Sequence, residues 1–513
     1  MRKLHGFPGG LQLDGHKTLA TGEASTRPPL SHEYVLPLLQ HEGDPARAVV
    51  AAGDSVRRGQ VMARAEGYLS LPIHAPTSGT ISAIEARPIP HPSGLMAECI
   101  VLRADGRDEA EEPHPPISDP EAIHPSRLRN RLRECGVAGL GGAAFPTHVK
   151  LNPARHRIHT LILNGAQCEP YISCDDMLMR ERAAEVVAGG QVLLTALQCE
   201  RLIVAIEEAT PEAIRAIQTA ITELGDPRLE LAVVPARYPE GGERQLIQTL
   251  TGQEVPSGGL PADLGVLCQN VATAAAAWRA LAHGEALTER MVTVTGSGVR
   301  SPCNVIARIG TPVRDLIAHA GGYTPEVERL IMGGPMMGFA LDNDEIPVVK
   351  GSTCVLAASR EDGVAQREPM PCIRCGECAE VCPASLLPQQ LYWHARDRDF
   401  DALRDYDLFD CIECGCCDLV CPSHIPLAQY FRAAKTEIWN RQRERSRAEQ
   451  ARRRHEFRQA RLEREQAERR RRLEEKKKRL EQRESAGPDK ADVADIISRA
   501  RTRKKRGRKG ESD

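Results

Sequence analysis

Cys372-Ile-Arg-Cys375-Gly-Glu-Cys378-Ala-Glu-Val-Cys382-Pro383 returns, with 28 residues between Cys382 and Cys411, as Cys411-Ile-Glu-Cys414-Gly-Cys-Cys417-Asp-Leu-Val-Cys421-Pro422. Each run has the form C-x2-C-x2-C-x3-C-P. Three thiolates two residues apart can hold three corners of a cubane from one short loop, and the fourth Cys then caps the other cluster. The spacing assigns one [4Fe–4S] cluster to Cys372, Cys375, Cys378 and Cys421, and a second to Cys411, Cys414, Cys417 and Cys382. Zinc needs only two CxxC pairs and would leave cysteines idle in each run. Disulfides need an oxidising compartment, and no secretory signal precedes the body of the chain. Cys416 is an additional thiol, but the first run has Glu377 in its place, so it is left out of the ligand set.

The chain has 513 residues, room for three or four domains. It is 41% hydrophobic but only 4% aromatic, so its cores must rest on Val, Leu, Ile and Ala. The net charge of -2 hides a division: residues 441–513 hold 28 Lys and Arg against 15 Asp and Glu, and the preceding residues hold 40 against 55. An acidic body carries a basic tail. No apolar run approaches the roughly 20 residues of a membrane span, and nothing like a signal-peptide core follows Met1-Arg-Lys-Leu-His-Gly. Without such a signal, 17 cysteines point to reduced thiols and metal in the cytoplasm.

Residues 1–30 are rich in Gly and Pro and read as an extended arm. Residues 31–105 carry short strands and tight turns, with 49–60 and 73–81 read as two hairpins. They resemble the barrel-sandwich hybrid of biotinyl and lipoyl carriers. A carrier needs a lysine for its prosthetic group, and none lies between Lys17 and Lys150, so this domain is read as structural. An acidic, Pro-rich linker follows over 104–120. Within 126–286, buried-strand patterns at 158–163 and 202–206 alternate with helical spacing at 183–197 and 211–224, an α/β layer domain. Residues 288–357 return to strands, at 291–295 and 345–349, around a glycine-rich centre. The cysteine runs occupy an α+β unit over 365–435. Over 440–513 the chain reads as a charged helix, supported by i,i+4 pairs such as Glu465 with Arg469 and Glu475 with Arg479, ending in a disordered basic stretch at 501–509. Leu462, Leu473 and Leu480 are too sparse for a coiled-coil seam. The fold class is α/β multidomain. The basic tail suits an anionic membrane surface or a nucleic acid; beside a redox core the membrane is preferred, and no nucleic acid is expected.

A second chemical feature is Gly136-Val-Ala-Gly139-Leu-Gly141-Gly142-Ala-Ala-Phe145-Pro146-Thr147-His-Val-Lys150. Dense glycines let a backbone approach a phosphate or a flat ring, and free N–H groups can cradle an anion. Before Asn440 the chain has only five lysines (3, 17, 150, 350 and 435), so a lysine at 150 implies a compact ammonium is wanted there. The loop lacks the G-K-[ST] of a phosphate-binding P-loop and is no Rossmann G-x-G-x-x-G. Two polar clusters, Asn164-Gly-Ala-Gln-Cys-Glu169-Pro170-Tyr171 and Tyr238-Pro-Glu240-Gly241-Gly242-Glu243, stand where α/β domains place ligands, at the ends of strands; read from the residues alone, each is equally a turn.

The loop resembles the flavin-binding loop of the NADH-oxidising FMN subunit of respiratory complex I, of the form G-x-G-G-A-G-F-P-T-x-x-K, with Ala144 in place of a glycine. That resemblance implies that Gly139, Gly141, Gly142 and Lys150 contact FMN with Asn164 beside it, and that Phe145 and Glu169 face the nicotinamide nucleotide. Tyr238, Glu243 and Asn270 are similar to later positions of the same flavin site. Gly242 and Ala166 stand where that subunit has acidic residues.

From about residue 8 to residue 432 the order of these features resembles the C-subunit family of the Rnf (Rsx) ion-translocating electron transport complexes. The likeness rests on 139–150, 164–171, 238–246, Thr251-Gly-Gln-Glu-Val-Pro256, Met332-Gly-Gly-Pro-Met-Met-Gly338 and the two cysteine runs. It implies an N-terminal β barrel-sandwich hybrid, an α/β FMN/NADH domain, an SLBB-like β-grasp domain and a ferredoxin-like two-cluster domain, with the charged tail as a variable extension. Read from its residues alone, 332–338 is a tight turn with flexible Met fillers. The resemblance further implies a peripheral subunit on the cytoplasmic side of the bacterial inner membrane. There NADH would be oxidised through FMN and two [4Fe–4S] clusters, with the other Rnf subunits as partners and ferredoxin reached through them. The cysteine stretch is then an exit wire. An ion-translocating quinone reductase subunit with the same front domains conflicts with the cysteine runs. The remaining alternative is a flavin-free iron–sulfur wire.

Overall fold

The structure is a computed structural model that describes residues 3–117, 119–153, 156–363, 368–485 and 490–507. It divides into two compact units, Met1–Ala434 and Lys435–Asp513.

In the first unit, strands β1 (Glu33–Pro37), β2 (Arg47–Ala48), β3 (Ser55–Val56), β4 (Val61–Arg64), β5 (Ile73–His74), β6 (Gly79–Pro88) and β7 (Met96–Ala104) form two small antiparallel sheets, ordered β1-β7-β6-β3 and β2-β4-β5. The two hairpins expected at 49–60 and 73–81 do not form. β3 pairs with β6, β2 with β4, and β4 with β5, so each expected hairpin is divided between the two sheets. The turn glycines do turn the chain, Gly53 at φ 96° and Gly59 at φ 87°. The strand after each turn then finds a partner distant in sequence, which alternation alone cannot reveal. The local pairing is instead β6 with β7, from Gly79–Ala104 to Pro88–Met96, with a register shift between Ile81 and Ala83.

The α/β layer contains α1 (Pro125–Glu134), α2 (Thr147–Lys150), β8 (Thr160–Gly165), α3 (Cys174–Glu181), α4 (Ala183–Leu197), β9 (Arg201–Glu207), α5 (Pro211–Leu224), β10 (Leu229–Val234), α6 (Glu243–Thr251), β11 (Val266–Asn270) and α7 (Val271–Trp278). Its sheet is parallel, ordered β10-β9-β8-β11. A parallel sheet covered by helices is buried on both faces and reads as a continuous apolar run, as Leu202-Ile-Val-Ala-Ile206 does, every residue buried. Pro211 pre-sets the first turn of α5, and Gly225 at φ 66° ends it. Gly189 of α4 sits so close to α7 that an added Cβ would fall 1.9 Å from the Ala274 carbonyl oxygen.

Next come β12 (Glu289–Thr295), β13 (Cys303–Arg308), α8 (Val313–His319), β14 (Arg329–Met332), β15 (Phe339–Leu341) and β16 (Cys354–Ala358), in a five-stranded sheet ordered β13-β12-β16-β14-β15. The strand expected at 345–349 is absent; that segment makes one isolated bridge, Pro347 with Pro312. Pro347 and Pro312 bring no N–H to the bridge, and only their neighbours bond across it, Val348 N–H to the Thr311 carbonyl at 2.8 Å and Val313 N–H to the Ile346 carbonyl at 3.0 Å. The core of the α/β layer continues into this sheet through Met291, Ile306, Ile331, Cys354, Leu356 and Ala358. Leu140, from the glycine loop, and Leu287 and Ile309 are buried in the core of the small N-terminal sheets. These three domains are one packed body.

The cysteine segment contributes α9 (Glu377–Glu380), α10 (Pro388–Asp397), α11 (Phe400–Asp405) and α12 (Cys416–Leu419), followed by α13 (Leu427–Ser485) and α14 (Lys490–Gly507). Within the second unit the side chains described are exposed, apart from a few near Lys435. The ion pair of Glu465 is with Arg461, at 3.6 Å, rather than with Arg469. The end expected to be disordered is helical through Gly507; residues 508–509 lie outside the described residues. Uninterrupted charge does not prevent a helix where Ala, Arg and Lys are good helix formers. Among the described residues no helix is long and apolar enough to cross a membrane.

Candidate functional site

The glycine loop is held from several sides. The Lys350 ammonium, 1% exposed, donates to the Gly136 carbonyl at 2.8 Å and to that of Pro72 at 3.0 Å. Burial without a carboxylate lowers the Lys350 pKa to about 7. Gly139 N–H donates to the Phe145 carbonyl at 2.8 Å, and Leu140 N–H to Thr273 Oγ1 at 2.9 Å. Arg290 Nη2 donates to the Leu140 carbonyl at 3.0 Å. The apex, Gly141 to Ala143, is exposed, with Gly142 at φ 109° and open space where its Cβ would be. Ala144, where the complex I form has glycine, adopts φ 49°, so it reaches the glycine conformation despite its Cβ.

Asn164 and Asn270 are paired in register at the carboxyl ends of adjacent parallel strands β8 and β11, the edge where open α/β sheets receive ligands. Asn270 caps α7 by accepting from Ala272 N–H at 2.8 Å, and its amide donates to Asp175 Oδ2 at 2.6 Å. Gly141 lies against it: an added Cβ would be 3.1 Å from Asn270 Cβ. Asn164 Nδ2 donates to the Gly241 carbonyl at 2.8 Å. Lys150 Nζ donates to Glu243 Oε1 at 2.8 Å. Burial opposes the Lys150 charge, but Glu243 more than offsets it and the pKa lies above its ordinary value. The structure thus brings Gly139, Gly141, Gly142, Lys150, Asn164, Glu243 and Asn270 to one edge of the sheet, with Phe145 in the same loop.

Two residues expected at that site are engaged elsewhere. Glu169 Oε1 accepts from Met336 N–H at 2.8 Å and Met337 N–H at 3.0 Å. Burial raises its pKa, and those two amides partly offset the rise. The 332–338 turn therefore uses its backbone, beyond its Met side chains, to hold a carboxylate. Tyr238, 2% exposed, donates from Oη to the Cys414 carbonyl at 2.6 Å.

The cysteine segment repeats its geometry as well as its sequence. Arg374 (φ 60°) and Gly376 (φ 90°) in the first loop match Glu413 (φ 58°) and Gly415 (φ 76°) in the second, and Ser385 (φ 52°) matches His424 (φ 51°). Left-handed residues on both sides of the second Cys curl each loop so that its thiols face one volume. Cys372, Cys375, Cys378 and Cys421 line one cavity. Cys411, Cys414, Cys417 and Cys382 line another, with Cys416 as a fifth thiol in its wall. Among the described residues no three or more His, Cys, Asp or Glu side chains converge on a single ion. Each thiol set surrounds a volume rather than a point, the demand of a multi-iron cluster rather than of one zinc.

The second cavity is the one packed against the α/β layer. Besides Tyr238, α6 reaches it through Gln245 Nε2 to the Pro383 carbonyl at 3.2 Å and Arg244 Nη1 to Asp410 Oδ1 at 3.2 Å. From the arm, Gly10 N–H donates to the Val381 carbonyl at 2.9 Å, and Leu11 exchanges backbone hydrogen bonds with Tyr238 at 2.7 and 2.8 Å. Lysine scarcity, the signal that singles out Lys150, applied equally to Lys350 and Lys17, whose ammonium donates to the carbonyls of Gln167 and Ile172. Asp175 and Arg290 carry no such signal; each lies in a run whose spacing explains itself as helix or strand.

Family models match in the same order: the RnfC barrel sandwich hybrid domain over 5–107, the Nuo51 FMN-binding domain over 132–279, the SLBB domain over 291–340 and the 4Fe-4S dicluster domain over 368–425. The C subunit of the ion-translocating oxidoreductase complex of Pseudomonas aeruginosa is 50% identical over 456 residues, 88% of this chain and 58% of that protein. Its counterpart in Erwinia tasmaniensis is 47% identical over 452 residues, 88% of this chain and 56% of that protein. The chain spans less than two thirds of the length of these relatives. An NAD+-reducing [NiFe]-hydrogenase in the H2-reduced state overlaps 63% of this chain and 63% of its own, at 17% identity and TM-score 0.45. With half of its residues shared with the Pseudomonas aeruginosa protein across 88% of its own length, the chain is similar to the C subunits of ion-translocating oxidoreductase complexes.

Proposed function

We propose that this chain is the NADH-oxidising subunit of an Rnf-type complex, peripheral on the cytoplasmic side of the bacterial inner membrane. It would take electrons from NADH through FMN and two [4Fe–4S] clusters toward the membrane subunits and, through them, ferredoxin. The observation that carries this reading is the packing of two four-thiol cavities in one compact unit with a glycine loop at a parallel-sheet edge, joined by Tyr238 and α6. Bound FMN supplies a change from two-electron to one-electron transfer, and the clusters supply the single-electron steps. Gly141, Gly142, Asn164, Asn270 and Lys150 would hold the flavin, the open loop apex admitting a flat ring and Lys150 offering its ammonium to the phosphate. The cavity of Cys382, Cys411, Cys414 and Cys417 touches the α/β layer, so its cluster is the entry and that of Cys372, Cys375, Cys378 and Cys421 the exit.

A second reading, a flavin-free iron–sulfur wire, is favoured by two specific contacts: Lys150 is paired with Glu243 and Glu169 is engaged by the 332–338 turn. Anaerobic purification with iron and flavin quantified separates the two. About eight iron atoms, one releasable FMN and clusters that bleach on adding NADH support the first. Full iron with no flavin and no response to NADH would establish the wire.

A further inference from the structure

We infer that α14 is an amphipathic anchor that lays Val493, Ile496 and Ile497 on an anionic lipid surface. These side chains are 41%, 68% and 47% exposed, and no described residue covers them. At the helical period, Val493, Ile496, Ile497 and Ala500 fall within an arc of about 100°. The opposite face satisfies itself: Asp495 pairs with Arg499 at 3.0 Å, and Thr502 Oγ1 donates to the Ser498 carbonyl at 2.6 Å. The preceding helix offers a contrast. Its exposed leucines, Leu462, Leu473 and Leu480, are spread over 19 residues, whereas α14 places three β-branched aliphatics within five.

The charge identifies the occupant. Residues 501–507 hold five cations and no carboxylate, directly following the aliphatic arc. Such a cationic run is drawn to any polyanion, but a nucleic acid would leave the aliphatic arc in water, whereas the headgroup–acyl boundary of an anionic bilayer takes both. The short arc gives weak, reversible insertion, and the cations add attraction that falls off within a Debye length. This inference is independent of the redox reading, since it uses only the second unit.

The test is co-flotation of the full, cofactor-loaded chain with vesicles of phosphatidylcholine containing phosphatidylglycerol, and with phosphatidylcholine alone. Binding is expected on the anionic vesicles only, weakening as salt is raised. Ile496→Asp with Ile497→Asp should lower partitioning at least about tenfold, and Ile496→Leu with Ile497→Leu should preserve it. Equal iron content and circular dichroism across the variants exclude misfolding. The inference is overturned by no binding to anionic vesicles, by equal binding to neutral ones, or by binding that survives the two aspartates. The last result would reduce the segment to a basic tail for any polyanion or for a protein partner.

Discussion

Lys150 and Glu243 allow the flavin reading to be tested with a number. At 2.8 Å and an effective dielectric of about 20, their gross attraction is about 6 kcal/mol. The side chains are 30% and 39% exposed, so screening and lost side-chain freedom reduce the net stabilisation to about 1 kcal/mol or less. Glu243→Gln should therefore leave thermal stability nearly unchanged. A charged hydrogen bond from Lys150 to a flavin phosphate would contribute about 1.5–3 kcal/mol, a factor of about 10 to 150 in affinity. Lys150→Ala should weaken FMN binding by that factor with iron content unaltered, whereas Glu243→Gln, which releases the ammonium, should not weaken it. The assay is titration of flavin-stripped, iron-loaded protein by quenching of FMN fluorescence. Because the Lys150 pKa is raised, its charge is complete below the ordinary lysine value and lost only above it. Its contribution should stay flat between about pH 6 and 9. An affinity within about twofold of the parent in Lys150→Ala would remove this residue from the site.

Tyr238→Phe leaves the Cys414 carbonyl without its donor in a buried place, a loss of about 1–3 kcal/mol; the iron–sulfur absorbance should disappear at a lower temperature, and an unchanged melt would refute the docking role. Cys421→Ser should lose about four iron atoms, adding Cys372→Ser should cost nothing further, and adding Cys411→Ser should remove the rest; a further loss with Cys372→Ser would break the ligand assignment. Burial raises the Glu240 pKa to about 7, so the fold keeps a proton that the unfolded carboxyl releases near pH 4.3. That stabilisation is complete below the unfolded value and lost as pH rises through 7, on the order of 3 kcal/mol; Glu240→Gln should flatten the decline in melting temperature between pH 5.5 and 8. Gly189→Ala drives a Cβ into α7, costing about 1–3 kcal/mol; because Asn270 caps α7, melting temperature and FMN affinity should fall together while iron is retained.

The features legible in the sequence were those with local causes. The 183–197 and 211–224 spacings match α4 and α5 because each is one continuous helical stretch with its own stop, and the two C-x2-C-x2-C-x3-C-P runs specify their geometry within a dozen residues. The N-terminal sheets were not legible in the same way. Their alternation is real, but β3 finds its partner beyond β4 and β5, and nothing in residues 49–60 encodes that distance. The site shows the same division. Asn164 and Lys150 could be named from motifs and Asn270 from the family resemblance, yet their convergence depends on β8 and β11 lying side by side, with Val266 to Asn270 returning to the sheet after 100 residues of other structure. The engagement of Glu169 by Met336 and Met337, and of Cys414 by Tyr238, joins domains and leaves no trace in either local pattern. At 501–507 charge alone was weighed, and helix propensity decided the outcome.

The contact of the arm with Val381 bears on how the molecule is assembled. Gly10 and Val381 are 371 positions apart, and an added Cβ on Gly9 would fall 2.5 Å from the Val381 carbonyl, so only a bare backbone fits between the arm and the thiol loops. Closing so long a loop costs little more than closing a short one, because the entropy grows only as the logarithm of length. Timing is the stricter limit. The arm leaves the ribosome hundreds of residues before its seat exists, and until it settles, the loop ending at Cys382 stays uncovered on that side. The arm thus closes over the loop ending at Cys382 only after that loop exists.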